Sequence, residues 1–180
     1  HAVLPSTMVL YAGYRYDWDE RTVGLSLAVI GVCSAIVQGT LIGPAVRRFG
    51  ELRTLLFGLG AGAVGFLIYA LARTGPIFMI GVPIVALWGL AGPSVQGLMT
   101  RYVDPSQQGQ LQGANGSVLG VATMIGPGLF AGTFAYFIGP SAPLHLPGAA
   151  FALAAALLLL AALLAGSTIR AQPAAPLAGG

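Results

Sequence analysis

Lysine is absent from this 180-residue chain, cysteine occurs once and acids number only five. Charged residues make up 7% of the sequence, against about 25% in an ordinary soluble domain. That leaves too few charges to solvate a globular surface. The basic residues are all arginine: Arg15, Arg21, Arg47, Arg48, Arg53, Arg73, Arg101 and Arg170. They sit in short clusters and form no basic stripe, so the net charge of +3 does not indicate a nucleic-acid partner. Cys33 alone excludes an internal disulfide framework and reads as a small apolar residue within a helix. Without lysine there is no phosphate-binding loop of the Lys-Ser or Lys-Thr type. Of the two histidines, His1 is terminal and His145 sits in the Pro-rich loop 139–147. Paired acids, a Ser/His dyad and a His/Glu metal cluster are all missing from those runs, so the chain reads as no enzyme and as needing no cofactor.

What the chain has is long apolar runs, with 56% hydrophobic residues. Six segments stand out, at about 1–14, 22–46, 52–72, 76–99, 111–138 and 148–169. About 20 residues at 1.5 Å each cross the ~30 Å hydrocarbon layer. The runs are too long and too continuously apolar for barrel strands. The expected fold class is all-α: a polytopic membrane bundle of six transmembrane helices over 1–170, with 171–180 as a flexible cytoplasmic tail. The first segment looks cut off, and a chain opening on His1 reads as a fragment with an upstream part missing.

Short connections force neighbouring helices to run antiparallel. One side then carries Arg47, Arg48, Arg53, Arg101 and Arg170, and the other Arg15, Arg21 and Arg73. The excess of arginine predicts that the first side, with the C-terminus, is cytoplasmic in a multi-pass protein of the cell (inner) membrane. Tyr11, Tyr14, Tyr16 and Trp18 gather on the opposite side, as an interfacial aromatic belt would.

Glycine is abundant, and Gly39/Gly43, Gly58/Gly62, Gly116/Gly120 and Gly128/Gly132 are each four apart. That spacing puts both members on one helix face and predicts close helix packing. Pro83, Pro93 and Pro127 lie within apolar runs and predict kinks.

Uncharged polar residues also lie inside the runs. Ser34 and Gln38 share a helix face, Gln96 follows Pro93, and Asn115, Ser117 and Thr123 fall in the fifth run. An amide left unbonded in hydrocarbon costs roughly 2–7 kcal/mol. These groups therefore either bond between helices or line a watery cavity that meets a polar solute. Gln38, Gln96 and Asn115 suit a cavity best, because each amide both donates and accepts.

The stretch Gly43-Pro44-Ala45-Val46-Arg47-Arg48-Phe49-Gly50-Glu51-Leu52-Arg53 concentrates charge at two helix ends. It reads either as a solvated turn obeying the arginine bias or as a gate. In the gate reading Gly43, Arg47, Arg48, Gly50, Glu51 and Arg53 form a loop whose charges favour the helix dipoles beside them and latch one conformation.

This stretch resembles the second, degenerate copy of the signature loop of the major facilitator superfamily, between its eighth and ninth helices. Val9-Leu10-Tyr11, Tyr14-Arg15-Tyr16-Asp17-Trp18 and Val23-Gly24-Leu25-Ser26-Leu27-Ala28 resemble the tetracycline efflux subfamily. So do Gly89 to Gln96, Gln108 to Gly113 with Ser117, and Gly126-Pro127-Gly128-Leu129-Phe130. The resemblance covers about residues 3–138. It implies half of a major facilitator fold: helices seven to twelve of a twelve-helix transporter whose N-terminal six-helix half is missing here. It further implies drug:proton antiport by alternating access, with a small-molecule drug as substrate, the proton as coupling ion and the lipid bilayer as surroundings. Magnesium enters only as something carried with the substrate. In that fold helices seven, eight, ten and eleven line the cavity, which places Ser6, Thr7, Met8, Ser34, Gln38, Gln96 and Asn115 there. Ser34 and Gly62 stand where family members carry a histidine and an aspartate, which assigns the coupling acids to the absent half. The alternatives are a carrier of the same superfamily for another metabolite or sugar, and a membrane fragment with no transport of its own.

Overall fold

The structure is a computed structural model, and it describes residues 3–139 and 145–170. The expected tail, 171–180, lies outside the described residues. Every described element is helical: α1 (Val3–Tyr16), α2 (Glu20–Ile36), α3 (Ile42–Phe49), α4 (Glu51–Leu71), α5 (Gly75–Ala86), α6 (Ala91–Arg101), α7 (Gln108–Ile138) and α8 (Ala149–Arg170). A π turn, Val37–Leu41, joins α2 to α3, and a 3-10 segment, Leu87–Leu90, joins α5 to α6. Five continuous helical rods are long and apolar enough to cross a membrane: Glu20–Phe49, Glu51–Leu71, Gly75–Arg101, Pro105–Ile138 and Ala149–Ser167. The chain is a multi-pass membrane protein. As described, α1 has 14 residues and is too short to span by itself.

The breaks in the rods have local causes. Pro44 has no N–H to give the carbonyl of Thr40, and its ring crowds that carbonyl, so the helix widens into the π turn just before it. Pro93 does the same toward Gly89, inside the 3-10 segment. Pro127 sits within α7, which remains one helix of 31 residues.

The stretch read as a loop from Gly43 to Arg53 is helical almost throughout. It lies in α3 as far as Phe49 and in α4 from Glu51. Gly50 alone makes the turn, at φ 79° and ψ 164°, a backbone region essentially confined to glycine. The turn between α1 and α2 places Asp17 at φ 52°. There the Asp19 carboxylate caps α2 by accepting from the Thr22 N–H at 3.0 Å, and hydrogen bonding by the Thr22 side chain, then by this N–H, holds its pKa below the usual value.

Rod ends meet in two layers, as antiparallel rods require. At one end Tyr11 and Tyr16 donate to the carbonyl of Ala72, at 3.3 and 3.0 Å, and Trp18 packs on Gly75. Gly148 lies against the backbone of Ala70 at the same end. At the other end α3, the start of α4 and the end of α6 come together. Helix α4 is the centre of the bundle, in contact with α3, α5, α6 and α8.

The core is aromatic. Tyr11, Phe66, Tyr69, Phe78, Phe134 and Phe151 are all buried in one cluster. Tyr69 and Phe78 stack with centroids 4.0 Å apart, and Tyr11 meets Phe151 edge-on at 4.9 Å.

Of the four glycine pairs, one packs within the chain. A Cβ on Gly58 would stand 3.0 Å from the Ala91 nitrogen, and one on Gly62 would stand 3.0 Å from Trp88 and Leu158. By contrast, Gly39, Gly116, Gly120, Gly128 and Gly132 would meet nothing within 4 Å, and Gly43 only the side chain of its own Arg47. The faces that carry them, on the π turn and α3 of the second rod and on α7, are open among the described residues.

Candidate functional site

The polar residues inside the rods divide by what their side chains do. The hydroxyls bond back to their own helix: Ser26 to Val23, Thr40 to Ile36, Ser117 to Gly113, Thr123 to Gly120 and Thr133 to Leu129. A short side chain can satisfy itself this way, so it needs no partner across the bundle. An amide one or two carbons longer does not close such a ring readily. The side chains of Gln38, Gln96 and Asn115 make no hydrogen bond with any described residue, and neither does that of Ser34. Among the described residues, the interhelical bonding weighed above is therefore absent for all three amides.

Their surroundings differ. Gln38 is exposed at the π turn, and its stem lies 3.6 Å from the position of a Cβ on Gly89. Ser34, Gln96 and Asn115 are half-buried. The π turn and the 3-10 segment pack against each other, which brings Gln38 of one broken rod beside the break of the other. Asn115 is on α7, whose principal neighbours are α1 and α8. Met8 is 4% exposed and packs in the aromatic cluster. The side chains of Ser6 and Thr7 lie outside the described residues.

At the α3–α4 turn the charges are arranged across helices rather than along the turn. Glu51 Oε2 stands 3.0 Å from Arg101 Nε, at the end of α6. The Glu51 side chain is 11% exposed and that of Arg101 72%. No hydrogen bond reaches Glu51 Oε2, so the contact is Coulombic, between charges close together but not aligned as donor and acceptor. Gly97 makes room for it: a Cβ there would fall 2.6 Å from Glu51 Oε1. Arg47, Arg48 and Arg53 are exposed, and Arg48 sits 5.9 Å from the ring centroid of Phe49. Arg101 was legible only as one more arginine on the cationic side. Its place as the partner of Glu51, 50 residues away, had no local signal.

No described carboxylate or imidazole lies in the middle of a spanning rod, and no group of three or more metal-ligating side chains occurs among the described residues. Ser34 is half-buried on α2, while Gly62 is enclosed by α8 and Trp88.

The profile of the Major Facilitator Superfamily matches residues 2–178. The chain belongs to that superfamily. Among curated proteins it is 34% identical over 119 residues to a class C tetracycline resistance protein of Escherichia coli, covering 66% of this chain and 30% of that one. It is 38% identical over 119 residues to the class G protein of Vibrio anguillarum, with the same coverage, and 33% identical over 138 residues to the class H protein of Pasteurella multocida, covering 75% and 34%. The chain spans about a third of the length of these relatives. No solved structure matches.

Proposed function

We propose that this superfamily chain is one bundle of a drug efflux carrier, helices seven to twelve, working by alternating access with a second six-helix bundle. The observation that carries the reading is the set of three amides, Gln38, Gln96 and Asn115, held within apolar rods with no hydrogen-bond partner among the described residues. Groups so costly to leave unbonded in hydrocarbon call for a solute, water or a second bundle. The open glycine faces of the Glu20–Phe49 rod and of α7 support the same architecture, since small residues let another backbone approach closely. The substrate is a tetracycline-type drug, carried with magnesium, and the coupling ion is the proton, bound by acids of the other bundle. Arg48 and the Glu51–Arg101 pair act at the cytoplasmic gate, in the inner membrane, with the C-terminus inside. Nothing in this arrangement calls for bond-making chemistry, and the protein is a carrier rather than an enzyme.

Everted vesicles bearing the full-length protein test this. Proton-driven tetracycline uptake is expected, and a Gln38→Leu/Gln96→Leu variant should raise KM. Uptake unchanged by a protonophore would overturn the antiport, and unchanged KM would remove the amides from the cavity. A second reading, a carrier for another small metabolite, is favoured by Gly62. That position is too tightly enclosed for the aspartate that the resemblance puts there. A vesicle that transports a sugar or other metabolite but no drug would establish it.

A further inference from the structure

A cavity of about 630 Å³ opens beside the α3–α4 turn, within the size range of small-ligand sites. Its wall is almost entirely apolar, with Leu41 from the π turn, Phe57 from α4, and Leu87 and Leu90 from the 3-10 segment. Two cations line it as well, Arg48 from α3 and Arg53 from the first turn of α4. Both are exposed, and no described carboxylate pairs with either. Glu51, the acid nearest in sequence, is held by Arg101 instead. The site therefore joins an apolar trough to a pair of guanidiniums with no described carboxylate partner, at the end of a rod long and apolar enough to cross a membrane.

We propose that this trough binds an anionic phospholipid of the surrounding bilayer, with its phosphate between Arg48 and Arg53 and one acyl chain along Leu41, Phe57, Leu87 and Leu90. Charge complementarity selects this occupant. An apolar wall alone would accept any acyl chain, but two guanidiniums favour a headgroup with net negative charge, and basic pockets between spanning helices hold such headgroups. A protein helix laid into the trough would cover the wall and leave both cations without an anion. Pro44 and Ala45 help form the trough, because their small or ring-closed side chains leave its α3 side open. Occupancy would brace α3 against α4 across the single-residue turn at Gly50. The proposal needs the membrane setting but not the transport cycle.

The full-length protein containing this chain, stripped of lipid in detergent, is titrated with phosphatidylglycerol or phosphatidylcholine of matched chain length. Bound lipid is counted by native mass spectrometry. Phosphatidylglycerol should bind about 25-fold more tightly, as two surface arginines imply. Arg48→Gln/Arg53→Gln should bring it to the phosphatidylcholine level, whereas Arg47→Gln, outside the trough, should keep most of the preference. Ala45→Phe should weaken both lipids alike by filling the apolar part. Equal affinity for the two lipids in the unsubstituted protein would overturn the proposal, even if a variant failed to fold. So would a retained preference in the double variant. A cysteine replacing Ala45 that is shielded from thiol reagents in lipid-free protein would overturn it too, by showing that protein fills the trough.

Discussion

Glu51 and Arg101 meet 3.0 Å apart, joining the first turn of α4 to the last turn of α6 where Gly97 lets the carboxylate in. The buried partner is the acid, so the two truncations are not equivalent. Arg101→Met leaves a nearly buried carboxylate without its cation, whereas Glu51→Gln leaves an arginine that is already in solvent. Because Arg101 is largely exposed, the pair is screened, and a double-mutant cycle should return a coupling of about 1 kcal/mol. Arg101→Met should be the more destabilising single change, measured as thermal stability in detergent. If the pair also serves as a latch, Glu51→Gln should alter turnover more than KM. A variant with normal turnover and raised KM would place Glu51 elsewhere in the cycle.

Gly50 is the whole of the α3–α4 connection. At φ 79° and ψ 164° any side chain is strained, although nothing lies within 4 Å of a Cβ there. Gly50→Ala should therefore cost about 1–3 kcal/mol through the backbone alone. Gly39→Ala has the same open surroundings but a helical backbone, and should leave the stability of the isolated chain unchanged or slightly raised. Equal effects for the two substitutions would show that the turn relaxes.

The order of the long helices was legible because run length in an apolar chain is set by bilayer thickness, whereas of the six expected spans five described rods are long enough to cross. The apolar run at 52–72 became α4 at Glu51–Leu71, and the run at 148–169 became α8 at Ala149–Arg170. Three things were not legible. The extent of helix through Arg47 and Arg48 was hidden because charged residues at a membrane edge look like loop whether or not they are helical. The π turn followed from Pro44, whose effect falls four residues upstream of the ring. Which glycine pairs pack depends on what lies opposite each face, and of the four pairs only Gly58/Gly62 faces another helix among the described residues. For the site, polarity within apolar runs identified Gln38, Gln96 and Asn115, while the Glu51–Arg101 contact needed the fold.

Tyr11 is 1% exposed, and its hydroxyl donates toward the carbonyls of Tyr69 and Ala72 at 3.2 and 3.3 Å. Those carbonyls belong to the last turn of α4 and to its C-cap residue, where intrahelical donors run out. Tyr11→Phe keeps the ring contacts and removes only the donor. The expected loss is about 0.6–1.7 kcal/mol, the range for polar contacts inside membrane bundles, read from unfolding in mixed micelles. A loss of several kcal/mol would mean that the ring itself had moved.

Placing a carboxylate at Gly62 should not install a coupling group. A Cβ there already stands 3.0 Å from Trp88 and Leu158, so Gly62→Asp must displace the indole or the helix behind it. The added charge would be buried among apolar side chains at a cost of about 3 kcal/mol. The expected result is reduced expression and a lower melting temperature with no gain in proton-coupled uptake. Gain of uptake at normal stability would show that α4 can rotate to present this face to a cavity.

The 180-residue chain alone should move nothing against a gradient. Uphill transport driven by protons needs a group inside the membrane that takes up and releases a proton during the cycle, and a carboxylate or imidazole at depth serves that purpose. Among the described residues, the acids stand at rod ends or turns: Asp17 and Asp19 beside α1 and α2, Glu20 and Glu51 at first turns, Asp104 before α7. His145 is exposed in the connection before α8. The amides of Gln38, Gln96 and Asn115 can bond a solute, but they do not change charge near neutral pH. Alternating access further requires two bundles rocking about a shared site, and in the proposed architecture this chain supplies one of them, with the glycine faces of the Glu20–Phe49 rod and α7 uncovered among the described residues. Reconstituted in vesicles with an imposed proton gradient and tetracycline, the chain should give no accumulation above protein-free vesicles. Adding a separately expressed N-terminal bundle should restore it. Protonophore-sensitive accumulation by the chain alone would mean that these rods hold a complete pathway, with a proton carrier other than a carboxylate or histidine at membrane depth.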